Sequence, residues 1–335
     1  MNMDINTRAV PIVDLTPFSL PDAAAHWKLA REVDRACREI GFLVIAGHGI
    51  PHASIERAFA VGNAFFGQPP HEKARIVPPD GRVRGYTAIG RQGLAYSLGE
   101  ETPPDLFERF RMGRFDVPDD EYHRARRDGF FAENLWPRQP AEFRPALSSY
   151  YSEMEALAGR LMRLFALALD LPRDFFADKI DRHVSSLCLN FYPSQPEAPL
   201  PGQLRAGAHT DYGSLTIVAP TQAPGALQVL DRGGQWRDVD PPPGTFVVNL
   251  GDLMAQWTND RWVSTLHRVA NPPRDVAGDS ERLSLVFFHQ PNDDALIECL
   301  PSCCADRAAK YAPVTSGEHF TGKIRKAFDM KAANP

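Results

Sequence analysis

The sequence predicts a mainly β protein that also contains α-helices. After Arg182 the chain carries a series of short apolar runs, which Gly, Pro and Asn-Asp turns separate. Before Arg182 the apolar residues of several segments recur at helical spacing instead. Many short strands without intervening helices are typical of a sandwich or a barrel, and the jelly roll is one such architecture.

The amino-terminal part is predicted to alternate between strands and helices. Its first helix follows Pro21-Asp22 and should end at Gly41, because glycine is favoured just after a helix. The segment 81–99 holds many glycines and few periodic apolar residues, so we interpret it as a long loop of the kind that often covers a binding site. The other elements predicted here are a strand at 10–15, a buried strand at Phe42–Ala46 and a helix at about 55–66.

The most regular helical pattern runs from about residue 141 to residue 169. Its apolar stripe predicts packing against a core and not a cofactor site, because the spacing alone explains it. A last amphipathic helix is expected near 318–328. Between these two helices, strands are predicted at 184–191, 215–219, 227–230, 246–250, 263–269 and 283–289.

Composition describes a globular chain. The 335 residues are 43% hydrophobic and 24% charged, and their number allows one large domain or two ordinary ones. A net charge of -5 argues against nucleic acid or an anionic membrane as the main partner. No secretory signal is expected at the start, and no apolar run reaches membrane-spanning length. Five cysteines without metal-binding spacing favour a reducing cytoplasm, and adjacent Cys303 and Cys304 are poorly placed to pair with each other.

Two histidines and an aspartate form the candidate metal site. His209 and Asp211 are two residues apart, so on an extended strand they point to the same side. His267 would join them from the predicted strand at 263–269. Two imidazoles and one carboxylate can hold a metal on one face and leave the opposite face open, which is the ligand set of non-haem Fe(II) oxygenases.

Other histidines compete with this assignment, since a structural role is the ordinary interpretation of any single histidine. Asp181 and His183 show the same spacing in reverse, but their charged neighbours favour a surface pair. His289 ends a predicted strand, where it could form a pocket wall or simply pack.

An arginine strengthens the choice of His209, Asp211 and His267. Arg282 opens an otherwise apolar strand and shares a face with Ser284. A buried arginine is unfavourable unless it is paired, and that strand contains no acidic residue. A carboxylate cosubstrate beside the metal would pair with Arg282. An acidic residue elsewhere in the fold is the alternative partner.

These residues lie in motifs that resemble the isopenicillin N synthase-like branch of the 2-oxoglutarate/Fe(II) dioxygenases, and the microbial thymine hydroxylase-like group is the most similar in kind. The resemblance covers almost the whole chain. No single motif is specific, but together they are. The matching segments are 10–15, 41–51, 65–73, 84–86, 208–216, 248–253 and 264–269.

The resemblance implies a fold of one compact unit. It consists of a double-stranded β-helix, the jelly-roll core, flanked by helices. The implied parts are an amino-terminal leader at 1–130, a long supporting helix at 131–180, the catalytic jelly roll at 181–295 and a carboxy-terminal segment at 296–335.

The resemblance also implies roles for individual residues. His209, Asp211 and His267 match the iron ligands, and Arg282 and Ser284 match the pair that binds the distal carboxylate of 2-oxoglutarate. Tyr192 matches a tyrosine that often adds a hydrogen bond to that carboxylate, and Asn190 matches a residue near the cosubstrate. The implied cofactors are Fe(II), 2-oxoglutarate and O2. The implied reaction oxidises a small organic molecule, by default through hydroxylation, and releases succinate and carbon dioxide.

The family layout suggests substrate contacts from the loop near residue 84 onward, the inward strand faces and the end of the last strand. The candidates are Tyr86, Arg91, Phe110, Phe288 and Gln290. The substrate and the oligomeric state stay open. Three other functions also stay open: a related oxidase that does not use 2-oxoglutarate, a metal-containing binding protein without turnover, and a zinc hydrolase. The hydrolase is disfavoured because no general base is evident near the triad.

Overall fold

The structure, a computed structural model, describes residues 9–79, 83–221, 227–305 and 307–332, with side chains up to residue 324. The start of the chain and Gly81 therefore lie outside the described residues. The described strands are Ile12–Asp14 (β1), Phe42–Ala46 (β2), Gly85–Thr87 (β3), Glu108–Gly113 (β4), Ser186–Tyr192 (β5), Ala206–His209 (β6), Leu215–Pro220 (β7), Leu227–Leu230 (β8), Trp236–Asp238 (β9), Phe246–Leu250 (β10), His267–Val269 (β11), Arg282–His289 (β12), Leu296–Ile297 (β13) and Val314–Thr315 (β14). The described α-helices are Ala23–Glu39 (α1), His52–Phe66 (α2), Pro70–Lys73 (α3), Glu121–Arg124 (α4), Phe143–Ala168 (α5), Ala177–Ile180 (α6), Asp252–Trp257 (α7), Pro301–Cys304 (α8) and Ser316–Ala332 (α9).

Local chemistry sets both ends of α1. The carboxylate of Asp22 accepts hydrogen bonds from the backbone N–H groups of Ala24 and Ala25, at 2.9 and 3.1 Å. Gly41 follows the helix with a φ of +66°, and a Cβ there would lie 2.1 Å from the carbonyl oxygen of Val263. Only glycine fits this position, so the predicted helix end at Gly41 is confirmed.

Two sheets form the jelly-roll core. The larger sheet has eight strands in the order β1-β2-β10-β7-β12-β5-β4-β3, and the smaller has four in the order β6-β11-β8-β9. Apolar residues of both sheets, including Phe42, Val229 and Val247, pack together in one cluster between them. The predicted mainly β jelly roll flanked by helices is confirmed.

The two faces of the larger sheet have different chemistry. On β12, Leu283, Leu285 and Phe287 face the helices and join the main core, which also takes in the inner stripe of α5. Arg282 and Ser284, which alternate with these residues in sequence, face the smaller sheet. This period of two, imposed by strand pleating, separates a packed apolar face from a polar face that carries the site.

Three parts of the predicted secondary structure need correction. The strand predicted at 263–269 begins only at His267, because the N–H of Val263 and the hydroxyl of Thr265 bond instead to the carbonyls of Cys37 and Ile40. The predicted loop at 81–99 contains β3, and β4 was not predicted at all.

The sulfur atoms of Cys299 and Cys304 lie within bonding distance, a pairing that the cysteine count did not suggest.

Within the described ranges, no helix has the length and apolar character needed to span a membrane.

A glycine pair tests the packing of α2 on the larger sheet. A Cβ at Gly62 would lie 2.7 Å from Leu283 Cδ2 and 3.0 Å from Leu189 Cδ2, both in the core. Gly62→Val should therefore lower the free energy of unfolding by about 1–3 kcal/mol, as overpacking does. Gly159→Val in α5 is the matched control, because nothing lies within 4 Å of its Cβ. Denaturant unfolding of both variants checks this. Equal stability of the two would contradict the close packing.

Candidate metal centre and adjoining cavities

His209, Asp211 and His267 converge on one point between the two sheets. β6 and β11 are antiparallel, and His209 lies directly opposite His267 in their register. Asp211 Oδ1 lies 3.9 Å from His209 Nε2 and 3.8 Å from His267 Nε2, and the three donor atoms lie within 4.8 Å of one another. Asp211 stands just beyond the end of β6 and not within it. The donor atoms are close enough to share a single metal ion.

Backbone carbonyls orient both imidazoles. Nδ1 of His209 lies 2.8 Å from the carbonyl oxygen of Gly207, and Nδ1 of His267 lies 3.1 Å from that of Thr265. Since a carbonyl only accepts, each Nδ1 carries the proton and each Nε2 presents a lone pair. Fixing the tautomer in this way is typical of histidines that bind metals.

The Asp211 carboxylate is held by the larger sheet. Its Oδ2 accepts hydrogen bonds from Thr216 Oγ1 at 2.6 Å and from Asn249 Nδ2 at 2.7 Å. These bonds leave Oδ1 for the metal. The donor set therefore fits a cation such as Fe(II), with three protein ligands on one side.

Electrostatics keep the donors in their binding forms. Burial, followed by the neighbouring His267, lowers the pKa of His209 to about 4. Burial acts to raise the pKa of Asp211, but His267 and His209, with the hydrogen bonds from Asn249 and Thr216, outweigh it and lower that pKa below its ordinary value. At neutral pH His209 is thus neutral and Asp211 ionised, as metal binding requires.

Two cavities meet at the triad, with volumes of about 90 and about 510 Å³. His209 and Asp211 line both of them, whereas His267 lines the smaller. Arg282, Ser284, Tyr192 and Asn190 all line the smaller cavity, so the predicted cosubstrate residues are brought together.

The smaller cavity has a buried arginine, Arg282, on its wall. Arg282 is only 6% exposed, and burial lowers its pKa. Arg205, fully buried nearby, donates to the carbonyl and hydroxyl oxygens of Ser280 at 2.5 and 2.9 Å. Burial first, and then the charge of Arg282, lower the pKa of Arg205 to about 10. Arg205 itself does not line the cavity, so the buried Arg282 guanidinium is the group that suits this end to a carboxylate.

Only two of the five residues predicted to contact the substrate line the larger cavity. Phe288 and Gln290 line it. Tyr86 and Phe110 do not, because they face the opposite side of the sheet and are buried in the main core, where the Tyr86 hydroxyl donates to Glu108 at 2.5 Å. Arg91 is exposed and lines neither cavity. The substrate contacts predicted for Tyr86, Phe110 and Arg91 are therefore not retained.

Two family descriptions match this chain. Residues 10–139 match the family described as non-haem dioxygenase in morphine synthesis N-terminal, and residues 183–291 match the 2OG-Fe(II) oxygenase superfamily. The 2-oxoglutarate-Fe(II) type oxidoreductase hxnY of Emericella nidulans is 36% identical over 97% of this chain and 92% of its own length. The chain belongs to the 2OG-Fe(II) oxygenase superfamily.

Other relatives of this oxygenase have stated activities or bound ligands. Homoarginine-6-hydroxylase 2-ODD-233 of Oryza sativa is 33% identical over 98% of this chain and 100% of its own length. A crystal structure of Neurospora crassa T7H in complex with alpha-KG and thymine superposes with a TM-score of 0.82 and 28% identity, covering 98% of this chain and 99% of that one. The expected resemblance to the thymine hydroxylase-like group is confirmed. The oxygenase is an Fe(II)- and 2-oxoglutarate-dependent enzyme that oxidises a small molecule, with O2 as the usual cosubstrate.

Sequence reasoning missed several residues of the oxygenase site. Thr216 and Asn249, which bind Asp211, lie in strands that were predicted, but no pattern marked them. Arg109 and Arg111, which line the larger cavity, alternate with Phe110 and Met112 in the unpredicted β4. The alternation of charged and apolar residues could have indicated this strand. The predicted contact, Phe110, is one position away from the residues that reach the cavity.

The hydrogen bond from Thr216 to Asp211 can be tested by metal affinity. Thr216→Val keeps the side-chain shape but leaves Oδ2 with one donor, so Fe(II) binding should weaken by about 10- to 100-fold. Thr245→Val is the control, since its hydroxyl bonds to Pro242. Anaerobic equilibrium dialysis of Fe(II) measures both. Equal affinities in the two variants would show that the bond does not support the metal ligand.

Proposed function

We propose that His209, Asp211 and His267 bind the Fe(II) of this oxygenase, and that the smaller cavity binds 2-oxoglutarate. The observation that carries the proposal is the position of His209 and Asp211 on the wall shared by both cavities. A metal there would contact a cosubstrate on one side and a substrate on the other. Arg282 and Ser284 would bind the distal carboxylate, with Tyr192 beside them and Asn190 nearer the metal.

The protein residues prepare the cosubstrate for reaction. The positive charge of Arg282 neutralises the carboxylate, and Ser284, opposite Asn190 in the strand register, offers a hydroxyl beside it. Val218, Val247 and Val269 form an apolar wall that excludes water from the bound keto acid. When bound, the iron supplies the oxidising power, using O2 and the electrons released as 2-oxoglutarate becomes succinate and carbon dioxide. Asp211 and the two imidazoles set the geometry in which this happens.

The larger cavity is the proposed substrate site. Its volume of about 510 Å³ lies in the range for small-molecule pockets. Phe288 lines both cavities and Gln290 lines the larger, so both are retained as candidate substrate contacts. We infer hydroxylation as the reaction, since relatives carry names such as homoarginine-6-hydroxylase. A substrate-library screen that reports succinate, followed by mass spectrometry of the product, tests this and also separates the enzyme from a related oxidase.

A cytoplasmic location is also proposed. Cys37, Cys188 and Cys303 are buried free thiols, which a reducing compartment preserves. Thiol counting on the protein isolated from its native cells measures this. Five free thiols would support a reducing compartment, whereas three free thiols with an intact Cys299–Cys304 disulfide would contradict it.

Removal of a metal ligand should abolish turnover. His209→Ala or Asp211→Ala takes away one of three donors, so we expect no detectable iron-dependent succinate formation while the far-UV circular dichroism spectrum stays unchanged. His52→Ala is the control, because His52 is exposed at the start of α2. Activity like that of the wild type in either ligand variant would overturn the assignment.

Substitution of Arg282 should weaken the binding of 2-oxoglutarate. Arg282→Ala should raise the KM for 2-oxoglutarate by about ten- to a hundredfold, the value of a charge-assisted hydrogen bond, and change the affinity for substrate less. Arg274→Ala is the control, because its guanidinium bonds to the carbonyls of Gln195, Pro196 and Glu197 away from the cavity. An unchanged KM in Arg282→Ala would point to another anion at this site.

A further inference from the structure

The larger cavity has three arginines on its wall: Arg109 and Arg111 of β4, and Arg84 just before β3. We call them the arginine row. Arg109 and Arg111 alternate with Phe110 and Met112, which lie in the core, so the pleat directs both guanidinium groups to the cavity side. Arg109 also lines the smaller cavity, which places it at the metal end of the row.

The far end of the row is built around Arg84. Its side chain is 6% exposed. A Cβ on Gly113 would lie 2.0 Å from the Arg84 guanidinium, so the absence of a side chain at Gly113 leaves the space that this group occupies. The Arg84 guanidinium therefore occupies the space beside Gly113, which lies two residues after Arg111 on the same strand face.

Neutral groups accept the hydrogen bonds of the row. Arg84 donates to the carbonyl of Phe130 at 2.8 Å. Arg109 donates to the side-chain oxygens of Asn190 and Gln92, at 2.8 and 2.9 Å. Arg111 donates through Nε to the sulfur of Cys188 at 3.1 Å. Within the described part of the chain, no carboxylate forms an ion pair with any of the three.

The described acidic residues at or near the cavity form no ion pair with the arginine row. Asp211 belongs to the triad, and Asp128 lies on the wall without an ion pair to the row. Asp105 acts on Arg109 from a distance while accepting the N–H groups of Leu94 and Gly207. Burial, with the charge of Arg111 next, lowers the pKa of Arg84 to about 10, so the arginines repel one another. A buried Arg84 beside the like charge of Arg111, with no ion pair among the described residues, is unfavourable, and an anion would relieve this.

We propose that the substrate of this oxygenase is a small organic acid, and that the arginine row binds its carboxylate through Arg111 and Arg84. This inference rests on the proposed function, because it takes the larger cavity as the substrate site. A guanidinium matches a carboxylate in shape and in two parallel hydrogen bonds. The row repels a cationic substrate, and a neutral substrate leaves its charges unpaired.

The other residues of the cavity wall indicate the chemical character of the rest of the substrate. Phe288, Phe130, Phe320 and Ile324 give the wall an apolar character, which suits a hydrocarbon or aromatic body. Residues two apart on a strand are separated by about 7 Å. A carboxylate at Arg111 therefore places the carbon near the metal several bonds away from the acid group.

The test compares acids with their own amides. The probes are phenylacetate, 3-phenylpropanoate and 4-phenylbutanoate, each with its primary amide and with the amine of the same carbon skeleton. Calorimetry under anaerobic conditions measures their binding to the holoenzyme that contains Fe(II) and saturating 2-oxoglutarate, which keeps the probes from the Arg282 site. The proteins are wild type, Arg111→Gln, Arg111→Lys and the control Arg57→Gln, whose arginine is exposed on α2.

We expect at least one acid to bind about tenfold or more tightly than its amide, and no amine to bind better than the acid. Arg111→Gln should weaken the acid by about ten- to a hundredfold, Arg111→Lys should restore part of the loss, and Arg57→Gln should change nothing. Acids that bind no better than amides in every pair, an acid preference that survives Arg111→Gln, or a preference for amines overturns the proposal. So does a lack of binding by every acid.

A separate titration of 2-oxoglutarate into the Fe(II)-loaded wild type isolates the proposed function. If 2-oxoglutarate fails to bind, the assignment of the smaller cavity is wrong. If it binds and the acids show no preference, only the inference about the substrate is wrong.

Discussion

The antiparallel pairing of β6 with β11 is the contact on which the metal centre depends. It places His209 opposite His267, with ring centroids 4.3 Å apart, and the backbone two residues before each histidine fixes its ring. The third ligand, Asp211, follows β6 but is held by Thr216 and Asn249 of the larger sheet. The centre therefore exists only when the two sheets meet in one register, because the smaller sheet supplies the two histidines and the larger sheet secures the carboxylate of Asp211.

Strand pleating gives the two faces of the larger sheet different roles. On β12 and β5, alternate residues either pack against α5 and its neighbours or line the cavities. The apolar face accounts for folding, since it belongs to the main core. The other face holds Arg282, Ser284 and Asn190, polar residues whose burial does not favour folding by itself. A slip of one residue in strand register would exchange these faces and remove the site.

The interior of the site is positive although the whole protein carries a net charge of -5. Arg282 stands at the cosubstrate end, and Arg109, Arg111 and Arg84 line the larger cavity. Focused positive charge in a low-dielectric cavity attracts anions at both ends. One end fits the cosubstrate of the superfamily, and the other is the feature from which an acidic substrate is inferred.

What the sequence determined by itself was local. The spacing of apolar residues predicted α1, α5 and most strands of the jelly roll, and the His209-x-Asp211 pair with Arg282-x-Ser284 indicated the chemistry. The placement of Tyr86 and Phe110 on the core side, the late start of β11 and the arginine row were decided by the tertiary structure. The physical reason is that periodicity reports which residues share a face of one element. Which face meets the metal, and which distant strand lies beside it, depends on contacts between segments far apart in the chain.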